Sequence, residues 1–356
     1  MERPYLVHCI VINSDDTINV RASVSTKDFH ENDRIVPEIK ALKPSSPFQS
    51  LGLLSRSEYR IKVVGYNKIH QPIFNKSIDS DSFGGFVFKI PARVNDEEIV
   101  SLQLFERSFR PGCLLLLGSF IPLKIETPKK IVISDFDKTL VDTRYSTPKE
   151  MYYSLSKPVD YFPSINLSIN LIKEYIASSF QPFILSASPH FYENALRDWL
   201  YNNKIFTAGI FLKDYRQILS FSEGDLSPKD IKTQGFYKLN HLVNILLMTG
   251  IPEELALLGD GFESDTTIYL TIASILNKDL EPWQAWNQIK REEAFKLTSV
   301  QHTRFLNKMY QLGTLIKDTA HIPKVHIHIR CKEDTKVKIG VDSLRKYESK
   351  VQYYVT

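Results

Sequence analysis

Cysteine is scarce in this chain: Cys9, Cys113 and Cys331 are its only three, each more than a hundred residues from the next. That spacing excludes a dense disulfide framework, offers no cysteine pair for a structural zinc site, and predicts ordinary thiols in a reducing compartment. Long hydrophobic runs are missing as well. The most apolar stretch, Gly112 to Gly118, gives way to Ser119, Pro122 and Lys124, well short of the roughly 20 apolar residues a membrane-spanning helix needs. Residues Met1 to Cys9 lack the basic-then-apolar order of a secretory signal, so the expected location is cytoplasmic. A strong excess of one charge is absent too: 45 Lys and Arg stand against 41 Asp and Glu, a formal charge of +4. This permits attraction to an anionic surface without requiring one. No RNA- or DNA-binding motif organises the basic residues, which makes nucleic acid an unlikely partner. Collagen-like, coiled-coil and low-complexity patterns are absent.

What is present is length and alternation. A chain of 356 residues, 43% of them hydrophobic, divides more naturally into two or three units than one. Residues 1–127 read as a β-rich accessory domain, a small sandwich or barrel. Tyr59 to Val64 partly alternates, Phe86, Phe88 and Ile90 share one face, and further extended segments surround Leu102 and Leu104 and run from Cys113 to Leu117. Pro44-Ser45-Ser46-Pro47 reads as a surface loop.

Thr127-Pro128-Lys129-Lys130 marks a boundary, and from there short apolar strands alternate with helical patterns. Strands are expected at Ile131 to Ile133, Phe183 to Leu185 and Leu255 to Leu258; helices at Ile165 to Tyr175, Phe191 to Tyr201, Phe236 to Met248 and from Asp265. Residues 128–280 therefore read as an α/β domain with a mostly parallel sheet and its chemistry at the strands' carboxyl ends. Residues 281–356 form a helical and β C-terminal extension: Glu281 to Met309 reads as helix and Val325 to Arg330 as a strand. His326 and His328 would share a face of that strand, and the exposed face is preferred over a metal site.

The chemistry gathers at three strand ends. Ile131-Val132-Ile133-Ser134-Asp135-Phe136-Asp137-Lys138-Thr139 carries a buried strand to two carboxylates, with Phe136 between them packing away. Asp135 is the expected nucleophile and Asp137 the acid/base, for attack on phosphorus through a transient aspartyl phosphate. A polar turn capped by Asp137 or Thr139 is the alternative. Mg²⁺ is the expected cofactor, because a cation must offset the repulsion between a carboxylate and an incoming phosphate. Ser186 offers a hydroxyl to the phosphoryl group and Ser188, before Pro189, suits a helix cap; either serine can take the other's part. Lys238 is either a surface lysine or the cation that holds the phosphate beside Asp135. Lys213 and Arg216 are weaker candidates for a substrate headgroup, with an exposed hairpin edge as the alternative. In Gly259-Asp260-Gly261-Phe262-Glu263-Ser264-Asp265, the glycines allow close approach, Asp260 reads as a metal ligand, and Asp265 as a second ligand or an N-cap.

Taken together, Asp135-Phe136-Asp137-Lys138-Thr139, Ser186, Lys238 and Gly259 to Asp265 resemble the four ordered motif regions of haloacid dehalogenase superfamily phosphatases. Ser186 to Tyr192, Gly209 to Arg216, Tyr237-Lys238-Leu239 and Gly259 to Tyr269 look like the catalytic domain of the App1-type phosphatidate phosphatases, over about residues 130 to 277. Lys138, His190 and Gly261-Phe262 depart from that family's local pattern at positions that set pocket charge and shape. The resemblance implies a haloacid dehalogenase-like Rossmannoid sheet and Mg²⁺-dependent hydrolysis of phosphatidate to diacylglycerol and phosphate. It implies catalytic roles for Asp135, Asp137, Ser186 and Lys238, and metal ligands among Asp135, Asp137, Asp260 and Asp265. Ser188, His190, Lys213 and Arg216 complete the expected substrate-binding set. Between Asn287 and Gly340, 11 Lys and Arg against 5 Asp and Glu give a local excess of +6, which favours transient contact with an anionic membrane surface. Two other readings are a phosphatase of a soluble phosphomonoester and a catalytically weak scaffold binding a membrane or protein.

Overall fold

Within residues 2–28, 58–107, 112–143, 159–213, 234–333, 337 and 339–356, which the computed structural model describes, the chain forms two units. The first takes in residues 2–125 with Pro189–Ala195; the second takes in Glu126–Ser188, Leu196–Lys213 and residues 234–356.

The first unit opens with two long strands, β1 (Glu2–Ser14) and β2 (Thr17–Asp28), paired antiparallel. Their turn is Asp15-Asp16, with φ of 51° and 56°, the positive values that suit a two-residue connection to the twist of its strands. The other strands are β3 (Arg60–Tyr66), β4 (Pro72–Asp79), β5 (Gly85–Pro91), β6 (Arg93–Val94), β7 (Glu97–Glu98), β8 (Ser101–Glu106), β9 (Leu115–Phe120) and β10 (Leu123–Lys124). They make two four-stranded sheets, ordered β10-β1-β2-β5 and β4-β3-β8-β9, beside a small β6-β7 ladder. One core joins the two sheets, with Val20, Val24 and Phe86 from the first and Ile61, Val63, Leu102 and Leu104 from the second. Alternation along β5 decides which residues enter it: Phe86 and Ile90 are buried and Phe88 half-buried, while Val87 and Lys89 face outward. Pro44 to Pro47 lie outside the described residues.

The second unit is built on a six-stranded sheet ordered β13-β12-β11-β14-β15-β16. Its strands are β11 (Lys130–Asp135), β12 (Gln181–Pro189), β13 (Gly209–Lys213), β14 (Glu254–Asp260), β15 (Lys324–Cys331) and β16 (Val351–Val355). From β12 through β16 the neighbours run parallel. The helices are α1 (Asn166–Ala177), α2 (Glu193–Asn202), α3 (Gln234–Thr249), α4 (Asp265–Leu276), α5 (Pro282–Ile289) and α6 (Ser299–Asp318). Ile131, Val132, Ile133 and Leu255 to Leu258 are wholly buried, as continuous apolar runs must be when a parallel strand is covered on both faces. Starting from β11, the order runs outward through β12 on one side and β14 on the other. The carboxyl ends of β11 and β14 thus flank the point where connections diverge, the usual place for a ligand in an open parallel sheet.

Two expectations are revised. Glu281 to Met309 is not one helix: α5 and α6 are separate, because Thr298 caps α6, accepting from Gln301 N at 3.3 Å while the Gln301 side chain returns to Thr298 N at 3.1 Å. The strand carrying His326 and His328 is not an exposed one. It lies between β14 and β16, so His328 is buried, bonded to the Tyr175 hydroxyl at 2.7 Å, and its pKa is pushed down to about 4 by burial and by His326. Residues 281–356 therefore supply two strands of the same sheet rather than standing apart from it.

Candidate active site

Asp135 is the last residue of β11 and is wholly buried. The chain then turns sharply: Phe136 N donates to Leu185 O at 3.0 Å, Lys138 takes a left-handed φ of 60°, and Leu140 N returns to Phe136 O at 2.9 Å. Phe136 packs edge-on against Trp199, ring centres 5.1 Å apart. Thr139 Oγ1 comes back over the turn and donates to Asp135 Oδ2 at 3.2 Å, so this threonine ties the turn to the first carboxylate.

Asp137 has different company. Its Oδ2 accepts from Ser186 Oγ at 2.9 Å and from Ser188 Oγ at 3.4 Å, and Ser188 N donates to Ser186 Oγ at 3.0 Å. Both serines belong to β12, which continues to Pro189, so Ser188 does not start a helix. Burial raises the Asp137 pKa, and the Ser186 hydrogen bond pulls it partly back. A carboxyl group shifted this way can keep a proton to give.

Lys238 projects from the second turn of α3 into the carboxylates. Its Nζ lies 2.7 Å from Asp265 Oδ1, 3.1 Å from Glu263 Oε2, 3.2 Å from Asp135 Oδ2 and 3.8 Å from Asp260 Oδ2. Burial opposes its charge, but these four acids hold its pKa well above the usual lysine value. The turn after β14 fixes the acids in place. Asp260 Oδ1 accepts from Phe262 N at 2.7 Å and Glu263 N at 2.9 Å, and Asp260 N donates to Asp265 Oδ2 at 3.1 Å. Asp265, the first residue of α4, is thus a buried partner of Lys238 and of the Asp260 backbone, while Ser264 holds the N-cap position. Gly259 is required by this approach, since a Cβ there would meet Asp265 Oδ2 at 2.6 Å.

Asp135, Asp260 and Asp265 each offer a carboxylate oxygen, and these lie within 4.8 Å of one another, close enough to coordinate a divalent cation. Two observations fit such an ion: Asp135 Oδ1 and Asp260 Oδ2 are buried with no hydrogen-bond partner, and all three donors are hard oxygens. Charge balance points the same way. Among the described residues, the cations facing Asp135, Asp137, Asp260, Glu263 and Asp265 are Lys138 and Lys238. Burial and the neighbouring acids accordingly push the Asp260 pKa up to about 8, and those of Asp135 and Asp265 upward as well. The site is competent for cation binding and for acid–base chemistry.

No protein-family model matches this chain, and no curated protein does. Among solved structures, a β-D-glucuronidase of Dictyoglomus thermophilum superposes at 8% identity and a TM-score of 0.28, over 96% of this chain and 47% of that one. A Parabacteroides merdae β-glucuronidase does so at 8% identity and 0.24, over 93% and 34%. A glycosyl hydrolase family 2 member from Bacteroides cellulosilyticus does so at 9% identity and 0.25, over 98% and 39%. The chain spans less than half the length of each, and likeness this slight assigns neither fold nor activity.

The expected residues thus fall into distinct places. Asp135, Lys238, Asp260 and Asp265 share one charged cluster; Asp137, Ser186 and Ser188 share another. Asp137 lies outside the three-carboxylate group, its Oδ2 engaged by the serines. Lys213, at the end of the sheet's edge strand β13, is buried instead of exposed, with its ammonium 4.4 Å from the centre of the Tyr237 ring. His190 lies in the first unit, its ring 5.2 Å from that of His8. Arg216 lies outside the described residues. Sequence reasoning gave no role to Glu263, which binds Lys138 at 2.9 Å and Lys238 at 3.1 Å. Burial opposes its ionisation, yet the two ammonium groups hold its pKa at about 2. The available signal was its position between Asp260 and Asp265 in an acid-rich turn.

Proposed function

We propose that this chain is a Mg²⁺-dependent phosphomonoester hydrolase of the haloacid dehalogenase kind, with phosphatidate as its substrate. The observation that carries the reading is the division of labour between the carboxylates after β11. Asp135 is held by Thr139 and Lys238 through Oδ2, leaving Oδ1 without a hydrogen bond, while Asp137 sits on the serines of β12 with a raised pKa. One is arranged to attack, the other to carry a proton.

Asp135 attacks phosphorus and the bond to the ester oxygen breaks, while Asp137 gives that oxygen its proton. Asp137, now ionised, takes a proton from water as the water attacks the aspartyl phosphate, and breaking the Asp135–phosphorus bond releases phosphate. Ser186 and Lys238 bind the phosphoryl oxygens, and Lys238 also steadies Asp135 as its charge changes. Asp135, Asp260 and Asp265 would hold the Mg²⁺, which would supply neutralisation of the charge between carboxylate and phosphate.

Phosphatidate is favoured by the motif resemblance and by the +6 excess between Asn287 and Gly340. Among the described residues no helix is long and apolar enough to cross a membrane, so this reading has the substrate met at a lipid surface. The test is phosphate release from phosphatidate, lysophosphatidate, nucleotides and sugar phosphates, with Mg²⁺ and with excess chelator, beside sedimentation with anionic and neutral vesicles at low salt. Chelator-sensitive release from phosphatidate and selective sedimentation with anionic vesicles are expected. Release from soluble esters alone would replace the lipid assignment, and no release from any ester would leave a scaffold.

A further inference from the structure

A second cluster of metal-ligating side chains lies in the first unit, apart from the carboxylates described above. His8, His190 and Glu193 each offer one ligand atom, and these atoms lie within 4.8 Å of one another. His8 Nδ1 is 2.5 Å from Glu193 Oε2, and the two imidazoles meet edge to face. We propose that these three side chains form a site for one divalent transition-metal ion of the zinc class.

The backbone prepares the site from two directions. β1 carries a bulge between Leu6 and His8, and a bulge shifts which residues face each side of a sheet. Leu6 and Cys9 pack on the core of the two sheets, and His8 is buried against Glu193, only 2% exposed. His190 opens a 3₁₀ turn, His190–Tyr192, and Glu193 follows as the first residue of α2. Residues three apart in 3₁₀ geometry are eclipsed, so this imidazole and carboxylate project the same way.

The donor chemistry selects the ion. Two imidazoles and a carboxylate suit zinc, cobalt or nickel, while Mg²⁺ prefers an all-oxygen shell such as the aspartate cluster. In this site the ion takes the place of the proton between His8 Nδ1 and Glu193 Oε2, which already face one another at 2.5 Å, and His190 supplies the third donor. Bonds of about 2.0–2.2 Å set ligands about 3.4 Å apart in a tetrahedral shell, which small side-chain rotations reach from the observed spacing. Three protein ligands leave a fourth position for water, and the ion would tie β1 to the 190–193 segment.

The test uses the full chain, stripped with chelator and titrated with Zn²⁺ and with Co²⁺ in excess Mg²⁺. It is followed by calorimetry and by the visible absorption of bound Co²⁺. One equivalent per chain is expected, weakened at least about tenfold in His8→Gln, His190→Gln and Glu193→Gln, and retained when Asp135 and Asp260 are both changed to Asn. Should His8→Gln fail to fold, the half-buried His190→Gln decides. Failure of the unaltered chain to bind Zn²⁺, or binding lost with the aspartates and kept without the histidines, would overturn the site.

Discussion

Lys238 Nζ stands 3.2 Å from Asp135 Oδ2, with both side chains sealed from solvent. The ammonium is therefore part of the electrostatic support of the proposed nucleophile as well as a candidate phosphate contact. Lys238→Met is expected to remove the ammonium shared by Asp135, Asp260, Glu263 and Asp265, destabilise the chain by about 3–5 kcal/mol and lower hydrolysis by about 10²-fold or more. Thermal melts and phosphate release check this. A variant with normal melting and normal turnover would take Lys238 out of the site.

Asp135 and Asp137 should fail in different ways. Asp137→Asn keeps the serine contacts but removes the proposed proton carrier, so steady-state hydrolysis should fall by about 10²-fold or more, and further with poor leaving groups. Asp135→Asn removes the proposed attacking group, so no phospho-enzyme should form even with an activated ester. Rapid-quench labelling with a ³²P substrate separates them, and hydroxylamine-labile label on Asp135→Asn would rule out the nucleophile.

The raised carboxyl pKa values set a pH dependence whose sign is definite. Without a metal ion, folded Asp260 keeps its proton to about pH 8, whereas its ordinary value is 3.8. The folded chain then binds more protons than the unfolded one between those limits, and this contribution to stability declines as pH rises from about 4 to about 8. Asp135 and Asp265 shift in the same direction. Glu263 acts oppositely: with its pKa held at about 2, below its ordinary 4.5, it stabilises above pH 4.5 and loses that contribution as pH falls toward 2. A bound cation competes with the protons on Asp135, Asp260 and Asp265, so the rise in melting temperature on adding Mg²⁺ should be larger at pH 8 than at pH 5.5. Calorimetry with Mg²⁺ and with chelator measures it, and equal shifts at both pH values would count against a carboxylate site.

How much of this was legible in the sequence follows from how each element is buried. β11 and β14 were readable because parallel strands covered on both faces need unbroken apolar runs, and Ile131 to Ile133 and Leu255 to Leu258 provide them. The β1–β2 hairpin carries a weak sequence signal: its turn is Asp15-Asp16 without the glycine that marks such turns, and the bulge before His8 interrupts the alternation of β1. Asp135, Asp137 and Asp260 were legible as polar residues ending apolar strands. Glu263, His8 and Glu193 were not, because each acquires its partners only through tertiary packing. Buried Lys213 shows the same limit, since the Tyr237 ring beneath its ammonium comes from another element.

Gly259 offers the sharpest steric test. It is the penultimate residue of β14, and a Cβ placed there would lie 2.6 Å from Asp265 Oδ2 and 2.7 Å from Tyr269 Cε2. Neither neighbour can yield freely: Asp265 is fixed by Lys238 at 2.7 Å and by Asp260 N at 3.1 Å, and the Tyr269 hydroxyl donates to Leu258 O at 2.9 Å. Gly259→Ala should therefore cost about 1–3 kcal/mol in overpacking and push the Asp265 carboxylate away from Asp135 and Asp260. Mg²⁺ affinity should fall with stability, and turnover should recover in part at high Mg²⁺ if loss of the ion is what limits it. Stability by chemical denaturation and Mg²⁺ titration of activity read the two effects separately. An alanine variant with unchanged stability and Mg²⁺ dependence would show that the close approach of Asp265 to this strand is dispensable.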